Sequence, residues 1–279
     1  MVRHCGAIHG FPVRFRAGKE HLKRQCFLPA WNDMDRKQQL EVFQAQTKNL
    51  RVLEQGWKHI KRGIHRDLLA NNKTSVELQT KVLALIYCAW SEAAFSKLIH
   101  TPHCFELDEI RQIKAAGKHG SIVTAWEKCV ALALRKIQSR NGNYVPNVRQ
   151  ELNRFIKTYI ETPSQIRNKV AHGQWQVALN SKNTEQNPSL TVSLANLDLV
   201  KLDLLKQGCE GLCLIVEALV ESPEKAFHRD YWTLLCQVKE QLTMASQFTL
   251  AQKTQLLMKK RGLAGDITLR STKLVQKAA

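Results

Sequence analysis

Residues 74–100, with the sequence TSVELQTKVLALIYCAWSEAAFSKLIH, are the stretch that decides the fold. Thr74 and Glu77 have the spacing of a capping box, which predicts that a helix begins there. Pro102 follows His100 and predicts the end of that helix. Apolar residues cover most sides of the segment, and a helix of this kind is usually buried inside a bundle. The sequence therefore predicts an all-α fold built around residues 74–100.

Helical patterns continue on both sides of this segment. From Asp35 to Leu68, apolar residues recur at three- to four-residue steps, with Lys and Arg on the opposite face. Further helices are predicted from Leu107 to a stop at Gly117, from a cap at Ser121 to about Ser139, and from a cap at Asn147 through Ile160. Helices over 197–220 and 225–245 would complete the bundle.

A short helix and two alternating segments lie between these long helices. Thr162, Pro163 and Gln165 predict a helix start with Thr162 as the N-cap, and Gly173 is a typical stop. Residues 175–179 and 190–194 alternate between apolar and polar side chains. These two segments could pair as a small β-hairpin, although the connection between them is long for one.

The positive charge is concentrated at the two ends of the chain. The formal net charge is +18, of which residues 1–75 contribute +9 and residues 250–279 contribute +6. We therefore predict three regions: a basic arm over 1–34, a helical domain over 35–245 and a basic tail over 246–279. Basic ends on a nearly neutral body indicate binding to a polyanion, and we favour nucleic acid, although such ends could also serve only solubility.

Several function classes find no support in the sequence. The longest apolar run, Val82 to Trp90, is too short to span a membrane, and the first residues lack the apolar run of a signal peptide. We therefore expect a cytoplasmic protein without membrane association and with reduced cysteines. The His and Cys residues near His4 and near His100 lack the paired spacing of a zinc module, so we expect neither a metal nor another cofactor.

Residues 167–172, with the sequence RNKVAH, are the strongest candidate for chemistry. RNA can be cleaved without a metal when its own 2′-hydroxyl attacks the adjacent phosphorus. Such a reaction needs a group that transfers protons near neutral pH, and the imidazole of His172 is suited to this. The guanidinium of Arg167 could hold the phosphate oxygens as negative charge builds up. Because His172 lies at the C-terminal end of its helix, we favour a general-acid or phosphate-binding role, with a base role left open.

This segment resembles the motif of the HEPN family, in which an Arg is followed after four to six residues by a His. A polar residue often follows the Arg in that family, and Asn168 occupies this position. The resemblance implies a helical bundle, an endoribonuclease of the toxin or phage-defence type, and an active cleft between two protomers of a homodimer. It also implies an RNA substrate and an antitoxin or defence-system partner.

Two further positions bear on this resemblance. Some HEPN proteins place an acid on an earlier helix facing the motif, and Glu92 in the central helix is the candidate here; a salt-bridge role is equally open. One HEPN branch carries a Tyr two residues after the His, where the partner enzyme adenylylates it. This chain has Gln174 there, so we do not expect control of that kind.

Arg167 and His172 are five residues apart, which places them about 140° apart around an ideal helix. A second protomer would bring the two residue types together more easily than one helix does. We therefore expect catalysis in a homodimer, with Arg167, His172, Asn168 and Glu92 as site residues. The alternatives are a HEPN-like bundle that binds nucleic acid without cleaving it, and an interaction protein in which the helix over 36–70 pairs with a partner helix.

Overall fold

The central helix predicted from residues 74–100 is the core of the fold. The computed structural model describes residues 34–137, 142–221 and 226–262. Within them α2, Lys73–His100, buries thirteen of its residues and packs against α1, Arg36–Leu69, over almost its whole length. The remaining helices are α3 (Leu107–His119), α4 (Ile122–Leu134), α5 (Tyr144–Ile156), α6 (Thr162–Ala171), α7 (Pro188–Ala195), α8 (Leu199–Glu221), α9 (Ala226–Ser246) and α10 (residues 250–262).

The all-α prediction is confirmed for the described part of the chain, which forms helices and contains no β-strand. The apolar length of α2 would also suffice for a membrane span, but its buried side chains face α1, α4, α6 and α8. This is the environment of a core helix in a helical bundle. The predicted arm over 1–33 and the tail beyond 262 lie outside the described residues, and α10 occupies part of the predicted tail region.

Asparagines make the turn between α1 and α2. Asn71 adopts a left-handed conformation with φ 55°, which Asn tolerates better than most residues. Asn72 is the N-cap of α2, because its side-chain oxygen accepts a hydrogen bond from Ser75 N at 3.2 Å. The predicted cap at Thr74 is therefore wrong, since Asn72, two residues earlier, caps the helix by binding the amide of Ser75.

The predicted stop at Gly117 is also wrong, because α3 continues to His119 and ends at Gly120. A side chain at Gly117 would crowd the Cβ of Ala125, so this glycine allows α3 to approach α4 closely. Ser121 caps α4 as predicted, by accepting hydrogen bonds from Val123 N and Thr124 N. The end predicted near Ser139 lies outside the described residues, but α4 itself ends at Leu134.

Helices α5 and α6 are continuous in the chain and are joined by a π-helical turn, Lys157–Glu161. Helix α5 begins at Tyr144, before the predicted cap at Asn147. Thr162 has helical dihedral angles, and its amide donates to Lys157 O five residues earlier. The predicted capping box at Thr162 is therefore wrong, because the chain widens at this point instead of starting a new helix.

Pro163 explains why the turn widens here. In a regular α-helix residue 163 would donate its amide hydrogen to the carbonyl of Tyr159, but proline has no such hydrogen. The hydroxyl of Tyr87, on α2, donates to that carbonyl at 2.5 Å. Burial raises the pKa of Tyr87 well above its ordinary value of 10.0, which keeps the hydroxyl protonated. Tyr87 thus fixes the π-helical turn that leads into α6 to the central helix.

The predicted β-hairpin is wrong. Residues 188–195 form α7, with Asn187 as the N-cap and Pro188 in the first turn. Leu190 and Leu194 pack on one side, while Val192 between them is 58% exposed. A strand would have placed all three side chains on one face, so the alternation of Leu190, Val192 and Leu194 was ambiguous. Residues 175–179 contribute one isolated bridge, between Leu179 and Gln186.

Candidate active site

Helix α6 carries the predicted motif and presents it to solvent. Its buried residues Ile166 and Val170 pack with Ala178 and Leu194 in a small core that is separate from the main one. This packing orients the rest of the helix outward. Asn168 and His172 are exposed, and the Arg167 side chain is 41% exposed. The sequence motif therefore lies on an accessible surface.

Arg167 is held by two of the other predicted site residues. Its Nη1 donates to Asn168 Oδ1 at 3.2 Å, and its Nη2 lies 3.5 Å from Glu92 Oε1 on α2. Glu92 is 49% exposed, so the ion pair is solvated and contributes little to folding stability. Its main effect is on position, because a carboxylate on α2 and an amide on α6 restrict where the guanidinium can lie.

His172 occupies the C-cap position of α6. Its backbone N–H donates to Asn168 O at 3.2 Å, so His172 lies one turn beyond Asn168 on the same side of the helix. Within residues 34–137, 142–221 and 226–262, no side chain forms a hydrogen bond or ion pair with the imidazole. The structure thus brings Arg167 into contact with Asn168 and Glu92. His172 lies one turn beyond Asn168, and its imidazole has no partner from the described chain.

The loop after α6 contains residues that support the site and that the motif did not identify. Gly173 has φ +77°, the left-handed conformation that ends a helix and favours glycine. Trp175 Nε1 then donates to Val170 O at 2.8 Å, which satisfies one of the last carbonyls of α6. Lys169 Nζ donates to Leu179 O at 2.5 Å. A Lys in the last turn of a short helix and a Trp just after it are weak sequence signals, since their partners here are backbone atoms.

Gln174, the position at which one HEPN branch has Tyr, also has a structural role. Its side-chain oxygen accepts a hydrogen bond from Leu179 N at 2.7 Å, and its amide donates to Asn183 Oδ1 at 3.3 Å. Both bonds hold the loop after α6 closed on itself. Gln174 therefore stabilises the segment that covers one side of the small core.

Cys88 lies beneath the motif but is not suited to act as a nucleophile. Its thiol is buried and lies 3.8 Å from Pro163 O. Burial raises the pKa of Cys88 to about 12, against which the nearby positive charge of Arg167 has only a partial effect. The thiol is therefore protonated near neutral pH, and the candidate chemistry rests with Arg167 and His172.

The His and Cys residues considered as metal ligands do not form a cluster in the described part of the chain. No group of three or more His, Cys, Asp or Glu side chains lies close enough there to hold a metal ion. His100 is buried, and its Nδ1 lies 2.6 Å from Ser96 O one turn earlier in α2. His4, Cys5 and their neighbours lie outside the described residues.

Comparisons of the chain with protein-family models, with curated proteins and with solved structures found no match.

Proposed function

We propose that this protein is a metal-independent endoribonuclease of the HEPN type, acting in the cytoplasm as a homodimer. The observation that carries the proposal is the exposed group on α6: Arg167 held by Asn168 and Glu92, with the imidazole of His172 one turn away. A fixed guanidinium and an accessible imidazole, brought to the same phosphate from two protomers, are the minimum that phosphodiester transfer within RNA requires.

In the proposed reaction the 2′-hydroxyl of one nucleotide attacks the adjacent phosphorus, and the bond to the departing 5′-oxygen breaks. The 2′-hydroxyl loses its proton to a base, either solvent water or the neutral imidazole of the second protomer, and the departing 5′-oxygen gains a proton. His172 is proposed to give the proton to the departing oxygen or to hold the phosphate. Arg167 binds the non-bridging oxygens, where negative charge increases in the transition state. The products are a 2′,3′-cyclic phosphate and a 5′-hydroxyl.

Two protomers are proposed to form the cleft. Arg167 and His172 point about 140° apart around an ideal helix, so a single α6 presents them in different directions. A two-fold axis beside α6 would place each type of residue opposite the other. An effector of the toxin or phage-defence type would then be controlled by an antitoxin or a defence-system partner that covers this surface.

The direct test is cleavage of total RNA by the purified protein and by an Arg167→Ala/His172→Ala variant. We expect the variant to lose cleavage and to keep the helical circular-dichroism spectrum and thermal stability of the wild type. A matched control is Arg135→Ala/His119→Ala, which removes an exposed Arg and an exposed His at the ends of α4 and α3. Equal loss in both variants, or cleavage by the first, would contradict the proposal.

A second candidate is a helical protein that binds nucleic acid without cleaving it. The observation that favours it is the exposed basic face of α1, described next. A wild-type protein that binds RNA tightly and leaves it intact would support this second function.

A further inference from the structure

Helix α1 has an exposed face made almost entirely of cations and neutral residues. Around an ideal helix its six exposed Lys and Arg residues other than Arg36 fall within an arc of about 80°. The arc contains no Asp or Glu, and the nearest exposed acid on α1 is Glu41 at its edge. We call these six residues the α1 basic face: Lys37, Lys48, Arg51, Lys58, Arg62 and Arg66.

These cations have few partners in the described structure. Arg66 lies 3.7 Å from Asp67, and the other five form no ion pair with any carboxylate of residues 34–137, 142–221 and 226–262. By contrast, cations elsewhere on α1 are paired, as Lys61 is with Asp203 at 2.6 Å. The unpaired cations span from Lys37 to Arg62, a length of about 38 Å along the helix.

Helix α10, which belongs to the second basic region of the sequence, lies near the C-terminal end of α1. Leu250 and Thr254 of α10 line the same surface hollow as Asp67 and Leu68 at the end of α1. Burial, together with the positive charges of Lys253, Lys61 and Lys260, lowers the pKa of His65. Two regions that are far apart in sequence thus place their positive charge around the same end of α1.

We propose that the α1 basic face and the adjoining cations of α10 form one surface that binds the phosphate backbone of RNA. A straight row of unpaired Lys and Arg suits a polyanion with regularly spaced charge, and each phosphate contact releases a counterion. A membrane-surface helix would instead expose an apolar face with aromatic anchors. Most apolar residues of α1 pack against the core, whereas Leu40 and Val52 are exposed, and the α1 basic face has no aromatic residue.

This surface is separate from Arg167 and His172, and the inference does not depend on cleavage. The test is therefore binding, measured with the Arg167→Ala/His172→Ala protein as background so that the RNA stays intact. In that background Arg51, Lys58 and Arg62 are changed together to Gln, which lowers the formal charge by three. The matched control changes Lys114, Lys128 and Lys182, which lie on α3, on α4 and in the loop after α6.

Binding of a single-stranded RNA is measured by filter retention over a series of salt concentrations. We expect the triple α1 variant to bind more weakly, with the slope of log K against log salt reduced by about 2, since each lost contact on a single strand contributes about 0.7. The control triple should change the slope little. Exchanging each Arg for Lys and Lys58 for Arg should preserve the slope, because the charges remain.

Two results would overturn the inference. One is an equal change of slope in the α1 triple and the control triple, which would show that only net charge matters. The other is unchanged RNA binding by the α1 triple together with weaker binding to vesicles that contain anionic phosphatidylserine, which would assign the face to a membrane. If the α1 triple variant alters RNA binding and the wild-type protein does not cleave RNA, the proposed nuclease activity is rejected and the proposed binding surface is retained.

Discussion

Replacement of Tyr87 by Phe tests the account of how α6 is positioned. Tyr87 is 1% exposed, and its hydroxyl donates to the carbonyl of Tyr159 in the π-helical turn. Phe keeps the ring and removes only the hydroxyl. The carbonyl of Tyr159 would lose this donor, because Pro163 has no amide hydrogen to replace it.

The expected cost follows from that contact. A buried acceptor left without its hydrogen bond costs about 1–3 kcal/mol of the free energy of unfolding. For a domain of this size a loss of about 2 kcal/mol corresponds to a fall in Tm of about 4–8 °C. Differential scanning calorimetry near neutral pH measures this change directly.

Tyr159→Phe provides the matched control. The Tyr159 hydroxyl forms no hydrogen bond with the described part of the chain, and the residue is only partly buried. We expect that variant to stay within about 0.5 kcal/mol of the wild type. Equal stability of the Tyr87→Phe variant and the wild type would refute the explanation of the π-helical turn.

The remaining predictions concern the site, the dimer and pH. Glu92→Gln should lower kcat while changing stability by less than about 1 kcal/mol, because the ion pair with Arg167 is solvated; unchanged kinetics would remove Glu92 from the site. Mixing Arg167→Ala with His172→Ala protein should restore about a quarter of wild-type activity if each cleft combines both protomers, and no recovery would argue for clefts built from one chain. Burial lowers the pKa of His100, so the unfolded chain binds more protons than the folded chain does. The free energy of unfolding should therefore fall as the pH drops below about 6.5. His100→Gln should flatten that pH dependence, as measured by urea unfolding at several pH values.

The sequence predicts the helices better than it predicts their ends. The apolar segment 74–100 identifies the central helix because burial on most sides is visible in its composition. The predicted cap at Thr74 and the predicted capping box at Thr162 are wrong because other side chains bind the backbone groups concerned, the amide of Ser75 in one case and the carbonyl of Tyr159 in the other. Asn72 does so locally, whereas the hydroxyl of Tyr87 acts from another helix. A contact across seventy-two residues of sequence has no local signal.

In the candidate site, too, local features could be predicted from the sequence and contacts between helices could not. The positions of Arg167, Asn168 and His172 on one short helix follow from spacing, and the glycine stop at 173 is a local signal. The sequence indicated that Glu92 needs a partner but did not identify it as Arg167, since their contact depends on how α6 packs on α2. The role of Trp175 in closing the helix could not be predicted, because its indole binds a backbone carbonyl. The position of α10 near the C-terminal end of α1 likewise depends on tertiary packing.

The most direct test of the proposed function is the chemistry of the cleaved ends. A defined RNA labelled at its 5′ end is incubated with the wild-type protein in excess EDTA, and the new termini are identified by mass spectrometry. We expect cleavage with 2′,3′-cyclic phosphate and 5′-hydroxyl ends, lost in the Arg167→Ala/His172→Ala variant and kept in Arg135→Ala/His119→Ala. Loss of cleavage in EDTA, or products that carry 5′-phosphates, would contradict the assignment of catalysis to Arg167 and His172.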